Sequence, residues 1–388
     1  MAEMAAIGVD DVARGWLADR GRLLPVRLED VDGRAAALLK QQMLALGADC
    51  AVNREVARFD RTPRPVVLLG DLRTYRRLAE QLEMQPFGLP ELGREILRAI
   101  EAFEGPPNEL DCAGQTLPLG QATLVMGIIN LTPDSFSGDG LAGEVDAAVE
   151  QARGFLEAGV DILDVGGEST RPGSAPVEVD DELDRVLPVV EALAEEFDTV
   201  ISIDTSKPEV AQMAAAAGAR MVNDVTGLRS DQMIETAADT EAAVCVMHMK
   251  GTPREMQQDP TYEDVIGEVY TFLADRVDAA VAAGIHRRRL VVDPGFGFGK
   301  TVHHNLEILR RLREFRGLGA GVLIGTSRKS TIGAILNLPV EKRLMGTAAT
   351  CALAIANGAD IIRVHDVEEM KQVAQMIDAV THGWAGES

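Results

Sequence analysis

Basic residues are scarce in this 388-residue chain: 38 Lys and Arg face 61 Asp and Glu, for a formal net charge of −23. That balance argues against a phosphate backbone or an anionic membrane face as partner. An anionic small molecule would need the few cations gathered at one place. Cysteine is scarcer still. Cys50, Cys112, Cys245 and Cys351 form no C-x-x-C pair, so neither a disulfide framework nor a cysteine metal site is expected, and a reducing compartment is. No apolar run approaches the ~20 residues of a membrane span, and no apolar signal region follows the acidic N-terminus. A soluble cytoplasmic protein is the expectation.

What is present is 46% apolar, ordinary for a globular chain. Residues 1–110 read as a small α+β domain: a helix over Arg34–Leu46, a strand over Pro65–Gly70, and helices over Leu72–Leu82 and Glu91–Phe103. It carries no chemical constellation, and Arg73, Arg76 and Arg77 fit a solvated helix face. Glu104 to Gly114, with its Gly-Pro-Pro-Asn, reads as a boundary loop.

From residue 115 to 388 the chain becomes rhythmic. Apolar β-type runs recur at Thr123–Asn130, Asp161–Gly166, Thr199–Thr205, Met221–Val225, Ala243–His248, Leu290–Pro294, Gly321–Thr326 and Ile361–His365, with helical patterns between them. Eight such units predict an α/β fold, a (β/α)₈ TIM barrel preceded by the small α+β domain. An open doubly wound sheet fits less well, lacking a phosphate-binding turn after the first strand.

Nearly every run ends in a polar group: Asn130, Asp164 with Glu168, Asp204, Asn223, His248, Asp293, Ser327, and Arg363 with His365. One Asn or Asp at a strand end commonly caps the next helix, as Asp224 would. Eight in register put a polar ring on the face where barrel active sites assemble. The loop after Asn130, with Thr132, Asp134, Ser135, Ser137 and Asp139, has little to offer packing. Thr170 beside Arg171 suits a phosphate. Asp204, Asn223 and Asp293 would read a flat heterocycle rich in N–H donors, such as a pterin or guanine.

The run Asp293 to Thr301 ends in Gly-Lys-Thr, yet Pro294 stands where a P-loop needs its first glycine, which excludes an ATP-binding reading. Its glycines would instead place Phe296 or Phe298 against a flat ligand, with His303 and His304 starting a helix. In Gly325-Thr-Ser-Arg-Lys-Ser330, Ser327 and Ser330 can cap the following helix, and Arg328 and Lys329 would put two cations where a carboxylate can bind. Arg363 and His365, two apart on a strand, face the same way as an anion clamp.

Taken together, MGIINLTPDSFSGDG, DVGGESTRPGSAPV, ISIDTSKPEV, VNDVTG, MHMKGTPREMQ, DPGFGFGKTVHHN, GTSRKSTIG and IIRVHDV resemble the dihydropteroate synthase family, over residues 115–385. The resemblance implies a pterin-binding barrel, active as a homodimer. It would join 6-hydroxymethyl-7,8-dihydropterin diphosphate to p-aminobenzoate and release diphosphate. It implies a pterin pocket of Asp204, Asn223, Asp293 and Lys329. A diphosphate site would comprise Asn130, Thr170, Arg171, Arg363 and His365, with Asn130 a ligand of Mg²⁺. A p-aminobenzoate site would comprise Thr170, Pro172, Phe298 and Ser330. Catalysis would fall to Asp204, Lys329, Arg363 and His365. The first loop departs from many members in reading SFSGDG for SFSDGG, and the N-terminal domain lies outside the family core. A methyltetrahydrofolate-dependent methyltransferase barrel or a non-catalytic pterin-binding paralogue would share the pocket but have no use for a diphosphate clamp.

Overall fold

A computed structural model describes residues 2–58, 60–131, 141–169, 176–252 and 255–384. The chain forms two compact units, Met1–Glu104 and Gly105–Ser388.

The first unit begins with α1 (Ala2–Ala6) and α2 (Asp11–Arg20). A three-stranded antiparallel sheet follows, in the order β1 (Leu24–Val31), β3 (Arg64–Gly70), β2 (Asp49–Ala51). Three further helices, α3 (Gly33–Ala45), α4 (Leu72–Leu82) and α5 (Leu89–Glu104), complete it. The anticipated helices and the β3 strand form, whereas β1 and β2 are additional. Their cause is visible in the core: Leu24, Val31, Cys50, Val66 and Leu68 pack with Leu39, Met43, Tyr75 and Leu78. Arg73, Arg76 and Arg77 are exposed, as a solvated face requires.

The second unit opens with a hairpin, β4 (Glu109–Cys112) and β5 (Gln115–Pro118), whose first strand falls inside the stretch read as a boundary loop. The correction has a packing reason. Leu110, Cys112 and Leu119 are buried in one cluster with Leu124, Met126, Ile162, Val200, Met221, Cys245, Val291, Leu323 and Ile361. The hairpin therefore plugs the N-terminal end of the barrel.

Eight parallel strands close that barrel: β6 (Leu124–Asn130), β7 (Ile162–Gly166), β8 (Val200–Asp204), β9 (Met221–Asp224), β10 (Ala243–Met247), β11 (Leu290–Asp293), β12 (Gly321–Ile324) and β13 (Ile361–Val364). Helices α6 (Leu141–Glu157), α7 (Val179–Glu196), α8 (Pro208–Ala216), α9 (Asp231–Asp239), α10 (Val265–Ala282), α11 (Val302–Arg311), α12 (Ser330–Leu336), α13 (Leu344–Ala356) and α14 (Val367–His382) complete it. The strands read as unbroken apolar runs because both faces are covered. Outward residues such as Val165, Ile203, Val246 and Val364 meet the helices. Inward residues change character along each strand. Ile162 gives way to Asp164, Val200 to Ser202 and Asp204, Met221 to Asn223, Val291 to Asp293, and Ile361 to Arg363. The apolar layers fill the barrel's lower half; the polar ones lie at its C-terminal mouth.

Candidate active site at the barrel mouth

Strand pairing sets the polar layer. In the parallel register Asp164 lies beside Ser202, and Asp204 beside Asn223. Arg363, on β13 two strands round from β7, reaches past β6 to them. Its Nε donates to Asp164 Oδ2 and its Nη2 to Asp204 Oδ2, each at 2.6 Å. Asn223 Nδ2 donates to the same Asp164 oxygen at 3.3 Å. Asp164 Oδ1, Asp204 Oδ1 and Ser202 Oγ are buried without a protein hydrogen bond. Two carboxylate oxygens in want of donors line one end of the site, which is a chemical demand for N–H groups from a ligand.

Burial pushes the Asp204 carboxyl up to about 7, against the pull of Arg363 and with the help of Asp164. Burial also lowers Arg363's hold on its proton, but Asp164 and Asp204 outweigh it, so the guanidinium pKa is raised. The sequence reading placed Asp164 in the polar ring and left it out of the pocket. Its inward parity with Asp204 was the signal available.

The β11 end supplies the opposite wall. Burial raises the Asp293 carboxyl, while Lys329 and the Gly295 N–H, at 2.7 Å from Oδ1, oppose it. Gly295 turns there with φ +69°, and a Cβ would stand 1.9 Å from the His248 carbonyl oxygen, so only glycine passes. Lys329 donates to the Phe296 carbonyl and sits 4.5 Å from the centre of the Phe298 ring. Burial lowers Lys329 to about 8, with Asp293 resisting. Of the two aromatics in this loop, Phe296 is fully buried in the core, and Phe298 is the half-buried one under Lys329.

Lys300, which follows the loop's last glycine, was not anticipated. It is buried, and its Nζ reaches His248 Nδ1 at 2.9 Å and the Phe298 carbonyl at 3.0 Å. His248, desolvated and facing this ammonium, is driven down to about 2 and is therefore neutral.

The β12 end differs from expectation. Lys329, not a serine, is the N-cap residue of α12, and no side chain caps it. Ser327 instead accepts the His365 N–H at 3.2 Å and lies 3.0 Å from His365 Nδ1. The β13 end competes for that hydroxyl because its inward residue stands beside it. Arg328 is paired with Asp366, its Nε 2.9 Å from Oδ2, so the expected pair of cations at α12 is reduced to Lys329. Ser330 is exposed at the first turn. Asp224 behaves as a turn residue, its carboxylate accepting the N–H groups of Thr226 and Leu228. Thr301 and His304 form a capping box that starts α11. Asn130 ends β6 half-buried at the mouth. Thr132, Asp134, Ser135, Ser137, Asp139, Thr170, Arg171 and Pro172 lie outside the described residues.

Among the described residues no group of three His, Cys, Asp or Glu side chains is arranged to hold a metal ion. No helix among them is long and apolar enough to cross a membrane.

A family model described as "Pterin binding enzyme" matches residues 126–365. The chain is 48% identical over 255 residues to the dihydropteroate synthase of Escherichia coli, covering 66% of this chain and 90% of that protein. It is 43% identical over 348 residues to a probable bifunctional folylpolyglutamate synthase/dihydropteroate synthase of Haloferax volcanii, covering 87% of this chain and 41% of that one. The second unit alone is too short for that alignment, which therefore extends into the first. Among solved structures, the Xanthomonas albilineans dihydropteroate synthase with 4-aminobenzoic acid superposes with a TM-score of 0.66 at 45% identity, over 70% of this chain and 98% of that one.

Proposed function

The chain belongs to the dihydropteroate synthases of the pterin-binding enzyme family, and from that membership we propose how its own residues divide the work. The enzyme is a transferase that condenses 6-hydroxymethyl-7,8-dihydropterin diphosphate with p-aminobenzoate, giving 7,8-dihydropteroate and diphosphate. The observation that carries the assignment of residues is the set of orphaned acceptors, Asp164 Oδ1 and Asp204 Oδ1, on the inner face. A pterin's ring-edge N–H groups would complete both. Asn223, Asp293 and Lys329 bind the remaining polar edge of the ring.

The methylene of the pterin would face the strand ends of β6 and β13. Arg363 uses two of its five donors on Asp164 and Asp204, and the others serve the departing diphosphate together with His365. Asn130, Thr170 and Arg171 bind the same anion. The donor set favours a cation that arrives with its substrate. One amide oxygen, Asn130, is a weak site alone, so Mg²⁺ would be held mainly by diphosphate oxygens and water. When bound, it neutralises charge on the leaving group. Phe298, Ser330, Thr170 and Pro172 bind p-aminobenzoate, whose neutral amine needs no strong base. Asp204, ionised, favours positive charge on the ring as the C–O bond breaks.

The enzyme is a homodimer. Its support is α13, where Met345, Ala349, Leu353 and Ala356 are exposed on one stripe while Thr347, Cys351 and Ala354 are buried on the other. A helix that is apolar on both faces wants a partner. Its site of action is the cytoplasm, which suits four free, buried cysteines. Incubation with Mg²⁺, the pterin diphosphate and p-aminobenzoate tests the reading. Stoichiometric diphosphate and dihydropteroate are expected, and no release above background overturns it.

A further inference from the structure

The loop after β11 and the start of α12 meet behind the site, and one buried side chain joins them. Asn305, in the first turn of α11, is 1% exposed. Its Oδ1 accepts the Gly297 N–H at 2.8 Å, and its Nδ2 donates to Thr331 Oγ1 at 2.9 Å. The two ends of the amide are not interchangeable here. A backbone N–H only donates, so it must face the oxygen, which turns the amide nitrogen towards the hydroxyl. Thr331 is the second residue of α12 and is buried as well. Asn305 therefore ties a loop that follows one strand to a helix that follows the next, through a bridge closed to solvent.

The neighbours of that bridge are the residues that face the site. Gly297 precedes the half-buried Phe298, and Thr331 follows Lys329 and the exposed Ser330. Loop and helix start lie close together: Gly297 turns with φ +85°, and a Cβ there would stand 3.0 Å from Lys329 Cδ. Lys329 Nζ in turn donates to the Phe296 carbonyl and lies 4.5 Å from the centre of the Phe298 ring. The Gly297 carbonyl is held too, accepting Gln257 Nε2 at 2.6 Å. A side chain needed only to satisfy the Gly297 N–H could stop at that bond. The second one, to Thr331, fixes the separation of loop and helix.

We propose that Asn305 is a positioning residue for the arylamine substrate: with Thr331 it sets the width of the slot between the Phe298 ring and Ser330. The inference rests on the functional reading above, in which Phe298 and Ser330 meet p-aminobenzoate. Asn305 touches no substrate, because it is closed to solvent and the protein engages both its amide oxygen and its amide nitrogen. It acts by preorganisation: a loop and a helix start already tied together lose less freedom when a flat ring enters between them. The wall of Asp164, Asp204 and Asn223 stands on β7, β8 and β9 and is held by bonds of its own.

The test separates positioning from folding and from the enzyme assignment. Wild-type protein must first form dihydropteroate; failure there removes the functional reading, whatever the bridge does. Thr331→Val keeps the shape and removes the hydroxyl, and is expected to raise KM for p-aminobenzoate about fivefold, the size of one neutral hydrogen bond. Asn305→Ala removes both bonds and should raise it about tenfold or more. Thr331→Ser retains the hydroxyl and should stay within about twofold of wild type. The Kd for a dihydropterin, measured without p-aminobenzoate, should stay within about threefold in all three, since the opposite wall shares no partner with the bridge. Hydrogen exchange at the Gly297 amide supplies a readout independent of turnover, and Asn305→Ala should speed it about tenfold or more. Should Asn305→Ala fail to fold, the Thr331 pair decides alone. An unchanged KM in Thr331→Val overturns the proposal. So does a parallel loss of KM, dihydropterin affinity and thermal stability, which would mark a purely structural role.

Discussion

The guanidinium of Arg363 donates from Nε to Asp164 Oδ2 at 2.6 Å, two strands round the barrel and 199 residues away in sequence. With Asp204 it completes a group of one half-buried cation and two buried carboxylates. Removing the cation leaves both carboxylates without compensation. Arg363→Ala is expected to cost about 3–5 kcal/mol of stability, read as a fall in denaturation midpoint. It should also lower kcat/KM for the pterin diphosphate by a hundredfold or more, since the same side chain is assigned to the leaving group. A variant with wild-type kinetics would refute that assignment.

Asp204 makes activity and stability depend on pH in opposite ways. In the native state it holds its proton up to about 7, against 3.8 in the unfolded chain. The native state binds more protons between those values. Its contribution to stability is therefore full below pH 3.8 and is lost as the pH rises through 7. Activity needs the ionised form, so kcat/KM should climb through about pH 7. Lys329, lowered to about 8 by burial, sets the falling limb. A narrow bell is expected. Asp204→Asn should abolish the rising limb and flatten the melting temperature between pH 4 and 7; a rising limb that survives it belongs to another group.

Much of this was legible in the sequence, and the misses share a physical cause. Apolar runs and their polar ends gave all eight barrel strands within a residue or two, because parallel strands buried on both faces leave a local signature. Side-chain pairing leaves none. Nothing in the local pattern says that Ser327 will serve His365 rather than cap α12, that Arg328 will be taken by Asp366, or that Lys300 will meet His248. Lys207 finds Glu168 and Glu182 at separations of 39 and 25 residues, distances at which periodicity carries no information. The hairpin at Glu109–Pro118 was hidden by its Gly-Pro-Pro-Asn prelude, although Leu110 and Cys112 alternate inward as a strand should.

Lys300→Met probes the support under the β11 loop. The lysine donates to His248 Nδ1 and to the Phe298 carbonyl from a buried position. Methionine fills the space and donates nothing, leaving buried acceptors unpaired at about 1–3 kcal/mol each. A melting temperature lowered by several degrees is expected, with a raised KM for p-aminobenzoate as Phe298 loses its anchor. Unaltered stability and KM would mean that the loop holds itself.

The charge is unevenly divided. By count, the first unit carries −2 and the second −21 of the total −23. Self-repulsion of that size disfavours the compact state, and salt screens it, the Debye length shrinking from about 10 Å at 0.1 M to about 3 Å at 1 M. The melting temperature should rise by about 5 °C or more over that range of KCl. A flat response would show that local ion pairs already neutralise the surface.

The hairpin decides where the catalytic unit begins. A chain starting at Gly105 keeps Leu110, Cys112, Leu117 and Leu119 against the inner barrel residues, whereas one starting at Gly120 uncovers Leu124, Met126, Ile162 and Val200 at the barrel's lower end. Exposing that apolar layer costs about 25 cal/mol per Å² and invites association. The longer form should fold cooperatively and retain dihydropteroate synthesis; the shorter should aggregate or melt far lower, as calorimetry on both would reveal. Equal stability of the two would mean that the barrel floor is sealed by its own side chains and that the hairpin is only a connector.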